Sequence, residues 1–308
     1  MIGRAIFLLH FAVLATPVFA VSGKLSIVGS DTMASVLLTD LSREFQSVHP
    51  DVSFEIQGTG SAAAPPALAE GTVNFGAMSR TMSSTELADF RRRRGFEPRG
   101  IQVASDDIAL IVHPLNPLRQ VSRRILDGIF SISQRCGGPR YGLQWSSVFD
   151  ELGDLPRAEI AGLSIQRYSR TALSGSYGYF RKEVLCGGDL RPQVMELPGF
   201  AAIIDAVARS PGAIGYVGAG FVDPRVRVLA ISNAGDEPGS GLQPGDTGYP
   251  FSRPLYLYLA QAPGRRLSIL ECAFLEHVAG PMGQAAFTRH GFQSDGLGLT
   301  EDVASVCP

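Results

Sequence analysis

Three features of this sequence predict an α/β fold built as two lobes. Strand and helix patterns alternate through the first hundred residues. Turns of Gly, Ser and Thr that lead into helices occur both there and in the middle of the chain. Setting aside an N-terminal leader of 20 residues leaves 288 of the 308, more than one core usually holds. Hydrophobic residues are 45% of the chain, enough for a sizeable core, and past residue 20 no apolar run is long enough to cross a bilayer.

The leader comprises residues 1–20. A basic start at Arg4 precedes an apolar run over residues 6–18 and then Val18-Phe19-Ala20, with small residues where a signal peptidase reads. The run is too short for a span and is interrupted by Pro17, so a cleaved secretory signal with Val21 as the new N-terminus is expected. No cysteine lies near the cleavage point to take a lipid. The expected location is the periplasm, or the medium if the protein is secreted.

Residues 24–28 alternate as a short strand, and Gly29-Ser30-Asp31-Thr32 opens an amphipathic helix bearing Val36, Leu37, Leu41 and Phe45. A second strand is expected over 52–56, a second turn at Gly58-Thr59-Gly60-Ser61 with a helix through Ala67 and Leu68, and a third strand over 73–77. Residues 85–94 read as a solvated helix. Residues 101–112 form a long apolar strand broken by Asp106 and Asp107, suited to carry the chain between lobes. The second lobe then runs through 121–130, the Gly/Pro-rich stretch 136–142, a strand at 163–168, helices at 176–185 and 200–208, and a strand at 213–217. Residues 233–250 read as a surface loop, followed by a strand at 255–259 and helices at 267–278 and 281–289. The expected division is 21–108 with 218–308 in one lobe and 109–217 in the other, with crossings near 106–110 and 215–220.

Charge and cysteine usage narrow the function. The formal net charge of -2 becomes -3 once Arg4 leaves, so no overall basic field exists to hold nucleic acid. The run Arg91-Arg92-Arg93-Arg94 is short and lacks interleaved aromatics, which makes it a solvated face. Cys136, Cys186, Cys272 and Cys307 form no CxxC pair and have no nearby histidines, which argues against zinc or thiol chemistry. An even count in an oxidising compartment points to disulfides, with three connectivities open. No metal or organic cofactor is expected.

Three segments repeat one design, in which a strand ends, a Gly/Ser/Thr turn follows and a helix begins. They are Gly29-Ser30-Asp31-Thr32, Gly58-Thr59-Gly60-Ser61 and Ser174-Gly175-Ser176. The first turn of a helix presents unpaired N–H groups and the positive end of its dipole, and neighbouring hydroxyls add donors for an anion. Any one of these turns alone reads as an ordinary helix cap. Arg80, in Ser79-Arg80, and Arg170, four residues before Ser174, add the planar fork that matches two oxygens of a phosphate or sulfate.

These residues resemble the periplasmic phosphate-binding proteins of ABC importers, the PstS-like, type II periplasmic binding proteins. The resemblance runs from Gly29-Ser30-Asp31-Thr32-Met33 through Gly60-Ser61-Ala62-Ala63-Ala64-Pro65-Pro66-Ala67-Leu68, Gly71 and Ser79-Arg80. It continues with Asn116-Pro117, Ile129-Phe130-Ser131, Trp145, Arg170 with the segment Ser174 to Phe180, residues 212–218, Gly283-Gln284 and Gly291-Phe292. It implies two lobes, each a mostly parallel sheet flanked by helices, joined by a two-strand hinge, and a monomer that hands phosphate to a membrane permease driven by an ATPase. It implies a site of Ser30, Asp31, Thr32, Met33, Ser61, Ser79, Arg80, Arg170, Ser174, Gly175 and Ser176, with Ser176 where threonine is usual. It also implies the disulfides Cys136–Cys186 and Cys272–Cys307.

Arg80 departs from the best-known members, which carry an aspartate there to accept the proton of hydrogen phosphate; a branch with Ser-Arg exists. The acceptor would then be Asp31, Asp106 or Asp107, each equally readable as a cap or hinge residue. Other expectations stay open beside phosphate capture: another tetrahedral oxyanion (sulfate, arsenate or molybdate), or a phosphate sensor. A phosphate-ester hydrolase is disfavoured, because no Gly-x-Ser-x-Gly elbow occurs, the histidines lie away from the turns, and no Asp/His cluster has metal-ligand spacing.

Overall fold

The computed structural model describes residues 21–153, 158–232, 239–294 and 296–307; the leader and part of the 233–250 segment lie outside the described residues. Ten strands are found there: β1 (Gly23–Gly29), β2 (Val52–Gln57), β3 (Phe75–Met78), β4 (Arg99–Val112), β5 (Gln120–Ser122), β6 (Gln166–Arg170), β7 (Val194–Leu197), β8 (Ala213–Gly218), β9 (Arg227–Ser232) and β10 (Ser252–Leu259). The order β2-β1-β3-β10-β4-β8-β6-β7 is continuous in hydrogen bonding, with β5 and β9 set off to the side.

Continuity hides a division at β4. Residues 99–107 of this strand pair antiparallel with β10, while 108–112 pair antiparallel with β8. On one side, β1 runs parallel to β2 and β3. On the other, β6 runs parallel to β7 and β8, and β5 to β9. The apolar side chains divide at the same place. Leu25, Ile27, Leu41, Phe45, Phe75, Leu257 and Phe274 fill a core of the first lobe. Ile108, Leu110, Phe130, Trp145, Phe180, Tyr216 and Phe251 fill one of the second.

The cores place the return crossing elsewhere than expected. Tyr249 and Phe251 pack in the second lobe and Leu255 in the first, so the chain crosses back at 252–254 within β10, not at 215–220. Of the described residues in this stretch, Leu229, Ile231, Tyr249 and Phe251 therefore go with the middle of the chain. β8 lies between β4 and β6; after it, the turn Ala219–Phe221 brushes His290 of the first lobe at Gly220, and β9 then turns back to pair with β4 and β5. At the crossing, Arg253 faces Asp106 and Ser252 faces Asp107 across the two strands.

Local chemistry accounts for the helices near the cleft. Helix Ser84–Arg94 starts with a reciprocal capping box of Ser83 and Glu86. Its arginine run is met within the chain: Arg91 pairs with Glu97, Arg92 with Asp89, Arg93 with Glu70 and Asp89, and Arg94 lies over the Phe96 ring. Cys136–Cys186 ties the Gly-rich loop to the end of the helical segment that starts at Gly175, and Cys272–Cys307 pins the last helix to Ile269–Ala279. Each closure contributes roughly 2–4 kcal/mol.

Candidate functional site

Strand ends bring the three turns together between the lobes. β1 finishes at Gly29, whose φ of 134° suits glycine and lets the Ser30 N–H reach the Ala77 carbonyl at 2.7 Å. Ser30 caps the next helix, its Oγ accepting from the Met33 N–H at 3.3 Å, and shares a short hydrogen bond with Ser79 Oγ at the end of β3. Ser61 Oγ accepts from the Ser79 N–H at 3.0 Å. From the second lobe, Ser174 Oγ caps its helix by accepting from Ser176 N at 3.1 Å and Tyr177 N at 3.3 Å. Ser30, Thr32, Ser61, Ser79, Ser174 and Ser176 are all buried.

Gly175 is where the lobes touch. A Cβ there would collide with Ser61 Oγ and sit 3.0 Å from Ser79 Cβ. The Ala62 N–H meets the Leu173 carbonyl at 3.3 Å beside it. The lobes are closed on one another in this structure.

Two arginines enter the cluster, and only one of them was expected. Arg170, the last residue of β6, is 2% exposed; its Nη2 donates to Asp31 Oδ2 at 2.5 Å and to the Pro198 carbonyl at 2.7 Å, and its guanidinium lies 4.8 Å from the Phe200 ring centre. Its Nε and Nη1 are buried without a hydrogen-bond partner among the described residues. Asp31 is thus an ion-pair partner across the cleft, while Ser30 does the capping. The second arginine is Arg253 of β10, fully buried: Nε and Nη2 donate to Asp106 Oδ2 at 3.0 and 2.5 Å, Nη1 to Ser176 Oγ at 2.6 Å, and Nη2 to Thr32 Oγ1 at 3.3 Å. One hinge side chain thereby holds hydroxyls of both lobes.

Arg80 does not join them. Its guanidinium turns to Glu86, 2.7 Å from each carboxylate oxygen, and donates to the Thr81 carbonyl at 3.0 Å. Burial alone would raise the Glu86 carboxyl, but hydrogen bonds from Arg80 and Ser83 outweigh it and hold the pKa below its ordinary value. Asp107 lies outside the hydroxyl cluster too, accepting from Gly245 N at 2.7 Å and Gln293 Nε2 at 3.1 Å. Complete burial pushes the Asp106 carboxyl up, against the pull of the Arg253 charge and hydrogen bonds.

Arg253 was missed because its partner is 147 positions away. A signal was present: an arginine inside an otherwise apolar strand, and an acid interrupting another, each need a counter-charge if the strand is buried.

The arrangement gathers buried hydroxyls, helix N-termini and two guanidinium groups between the two lobes, with the unpartnered donors on Arg170 among the described residues. That is the makeup of a ligand-binding cleft for a small oxyanion. The chain matches the family model described as the PBP superfamily domain over residues 15–279, and it belongs to that superfamily. It is 38% identical over 278 residues to the phosphate-binding protein PstS of Pseudomonas aeruginosa, covering 88% of this chain and 83% of that one. The SphX protein of Synechococcus elongatus is 21% identical over 280 residues, 86% of this chain and 78% of that one. Among solved structures, a phosphate ABC transporter substrate-binding protein from Clostridium perfringens with bound phosphate superposes with a TM-score of 0.69 at 24% identity, over 88% of this chain and 99% of that one. An ABC-type phosphate transport receptor from Vibrio cholerae gives 0.67 at 18%, over 88% and 100%. The type II periplasmic binding protein fold follows from these likenesses.

Proposed function

We propose that this protein captures inorganic phosphate between its lobes outside the cytoplasm and delivers it to an ABC importer, acting as a monomer. The observation that carries the reading is Arg170, whose buried Nε and Nη1 lack an acceptor among the described residues, in a cleft lined by hydroxyl groups. Each unsatisfied buried donor costs about 1–3 kcal/mol, which an oxyanion seated there would offset. The name of the relative PstS as a phosphate-binding protein agrees with that chemistry.

Each arginine of the site also faces a carboxylate, Asp31 or Asp106, so the site is not simply cationic. A carboxylate near the ligand gives the proton of hydrogen phosphate an acceptor, whereas sulfate would bring a second unprotonated anion to it. Asp31 and Asp106 together stand in for the missing aspartate at position 80 in this reading. None of the six hydroxyls has a histidine among its hydrogen-bond partners in the described residues; their partners are backbone N–H groups, other hydroxyls and Arg253, which suits holding an anion. Calorimetric titration with phosphate, sulfate, arsenate and molybdate across pH 5 to 8 tests the proposal. Phosphate should bind with strong preference over sulfate; equal binding of the two would leave only a general oxyanion binder.

A further inference from the structure

Beside the hydroxyl cluster lies a cavity of about 920 Å³ with walls from both lobes and the hinge. Residues 80–84 of the first lobe, 177–179 and 181–183 of the second, and Pro250, Ser252 and Pro254 around the return crossing line it. None of the six buried hydroxyl residues lines it, nor does Arg170 or Arg253. Its volume falls in the range of pockets that hold organic ligands, roughly 300–1,000 Å³, and is far larger than a four-oxygen anion needs.

We infer that this cavity is a second binding site, for an organic anion with a flat apolar body, and that its occupant favours the closed lobes. Arg80, Arg181 and Lys182 face it against one acid, Glu183, in a chain whose net charge is -2. The partners of the two arginines, Glu86 and Asp189, are not in its walls. The side chains of Arg181 and Lys182 are 41% and 73% exposed, so exchanging a screened surface partner for a ligand's anionic group costs little. Met82, Tyr177, Pro250 and Pro254 supply apolar and aromatic surface for the rest of the molecule. Arg80 is the rigid part of the wall, held at both ends of its fork by Glu86 and packed across the cleft against Gly178, where a Cβ would be 3.1 Å from Arg80 Cδ. Because the walls come from both lobes, they stand together only when the lobes are closed. An occupant and phosphate must then tighten each other's binding by the same factor.

The probe is 8-anilinonaphthalene-1-sulfonate, an aromatic anion, titrated by fluorescence into the whole protein with and without saturating phosphate. Phosphate should lower the dye's dissociation constant about fivefold, and calorimetry should show the dye lowering that of phosphate equally. Lys182→Glu should weaken the dye about threefold, the scale of an exposed charge contact. Ser84→Trp, which puts an indole into the cavity from the exposed start of its helix, should weaken dye binding more than Lys182→Glu does. Both variants should keep phosphate affinity measured without dye. Competition between dye and phosphate would make the cavity an access route and overturn the inference, as would dye binding indifferent to both variants. If phosphate fails to bind the unmodified protein, the phosphate reading falls while the two variants still decide the cavity.

Discussion

The two buried arginines of the cleft are held in opposite ways. Arg253 sits in the hinge strand with every guanidinium nitrogen bonded and a fully buried counter-ion, Asp106. Arg170 stands at a strand end in the second lobe, with two nitrogens unpartnered and its counter-ion, Asp31, 26% exposed on the opposite lobe. The difference separates scaffold from clamp. A pair whose two members come from the paired hinge strands persists whether the lobes open or close. A pair that bridges the lobes exists only on closure, and its unused donors are what remains for a ligand.

Breaking the scaffold pair should have the largest effect. Asp106→Asn leaves Arg253 charged and buried without a counter-ion, and urea denaturation should show a loss of about 3–5 kcal/mol. A stability within 1 kcal/mol of the unmodified protein, on the scale of an exposed pair, would erase the contrast between the two arginines. Next comes the seam. Gly175→Ala puts a methyl into Ser61 Oγ, so phosphate affinity should fall by about 1–3 kcal/mol, the usual cost of overpacking, while the separated lobes keep their fold. Unchanged affinity by calorimetry would mean that closure is not needed at this point.

Asp31→Asn should be milder for stability, under about 1 kcal/mol, since the pair is partly exposed. Its sharper effect should be on selectivity: with one carboxylate gone, labelled phosphate should be displaced by less sulfate than in the unmodified protein. No change in the sulfate needed would assign selectivity to Asp106 alone. The smallest effect lies away from the cleft. Burial holds the His277 imidazole below its ordinary pKa, with Glu44 opposing and His49 reinforcing the shift. The unfolded chain therefore takes up the proton first as pH falls below about 6.5, and folded stability should decline there. His277→Gln should flatten that decline in denaturation midpoints followed from pH 8 to 5; an unaltered slope would exclude this histidine as its source.

How much of this was legible in the sequence depended on the distance over which the chemistry acts. The helix starts at Ser30–Met33, Ser61 and Ser174–Ser176 were readable because helix capping is local. Arg170 was readable from its spacing to Ser174. Arg80 was assigned to the anion although its partner was in view, as Ser83 and Glu86 form a capping box only a few residues on. Arg253 carried only the signal of a charge inside an apolar strand and not that of its role, because only the register of β10 on β4 brings Asp106 to it. The return crossing was misplaced for a related reason. A uniformly apolar stretch such as 213–218 announces a buried strand, but not that β9 will follow it back into the same sheet.

Titrating phosphate calorimetrically into the unmodified protein, Arg170→Ala, Arg170→Lys and Arg80→Ala side by side tests the central assignment most directly. The structure predicts that Arg170→Ala loses about 2–4 kcal/mol of binding, the scale for truncating one member of a buried charged contact. Arg170→Lys should also weaken binding, because an ammonium cannot reproduce the fork. Arg80→Ala should stay within about 1 kcal/mol of the unmodified protein, since Glu86 already engages that guanidinium outside the hydroxyl cluster, leaving it little charge to offer the anion. Full affinity in both Arg170 variants, or a loss at Arg80 as large as that at Arg170, would contradict the account.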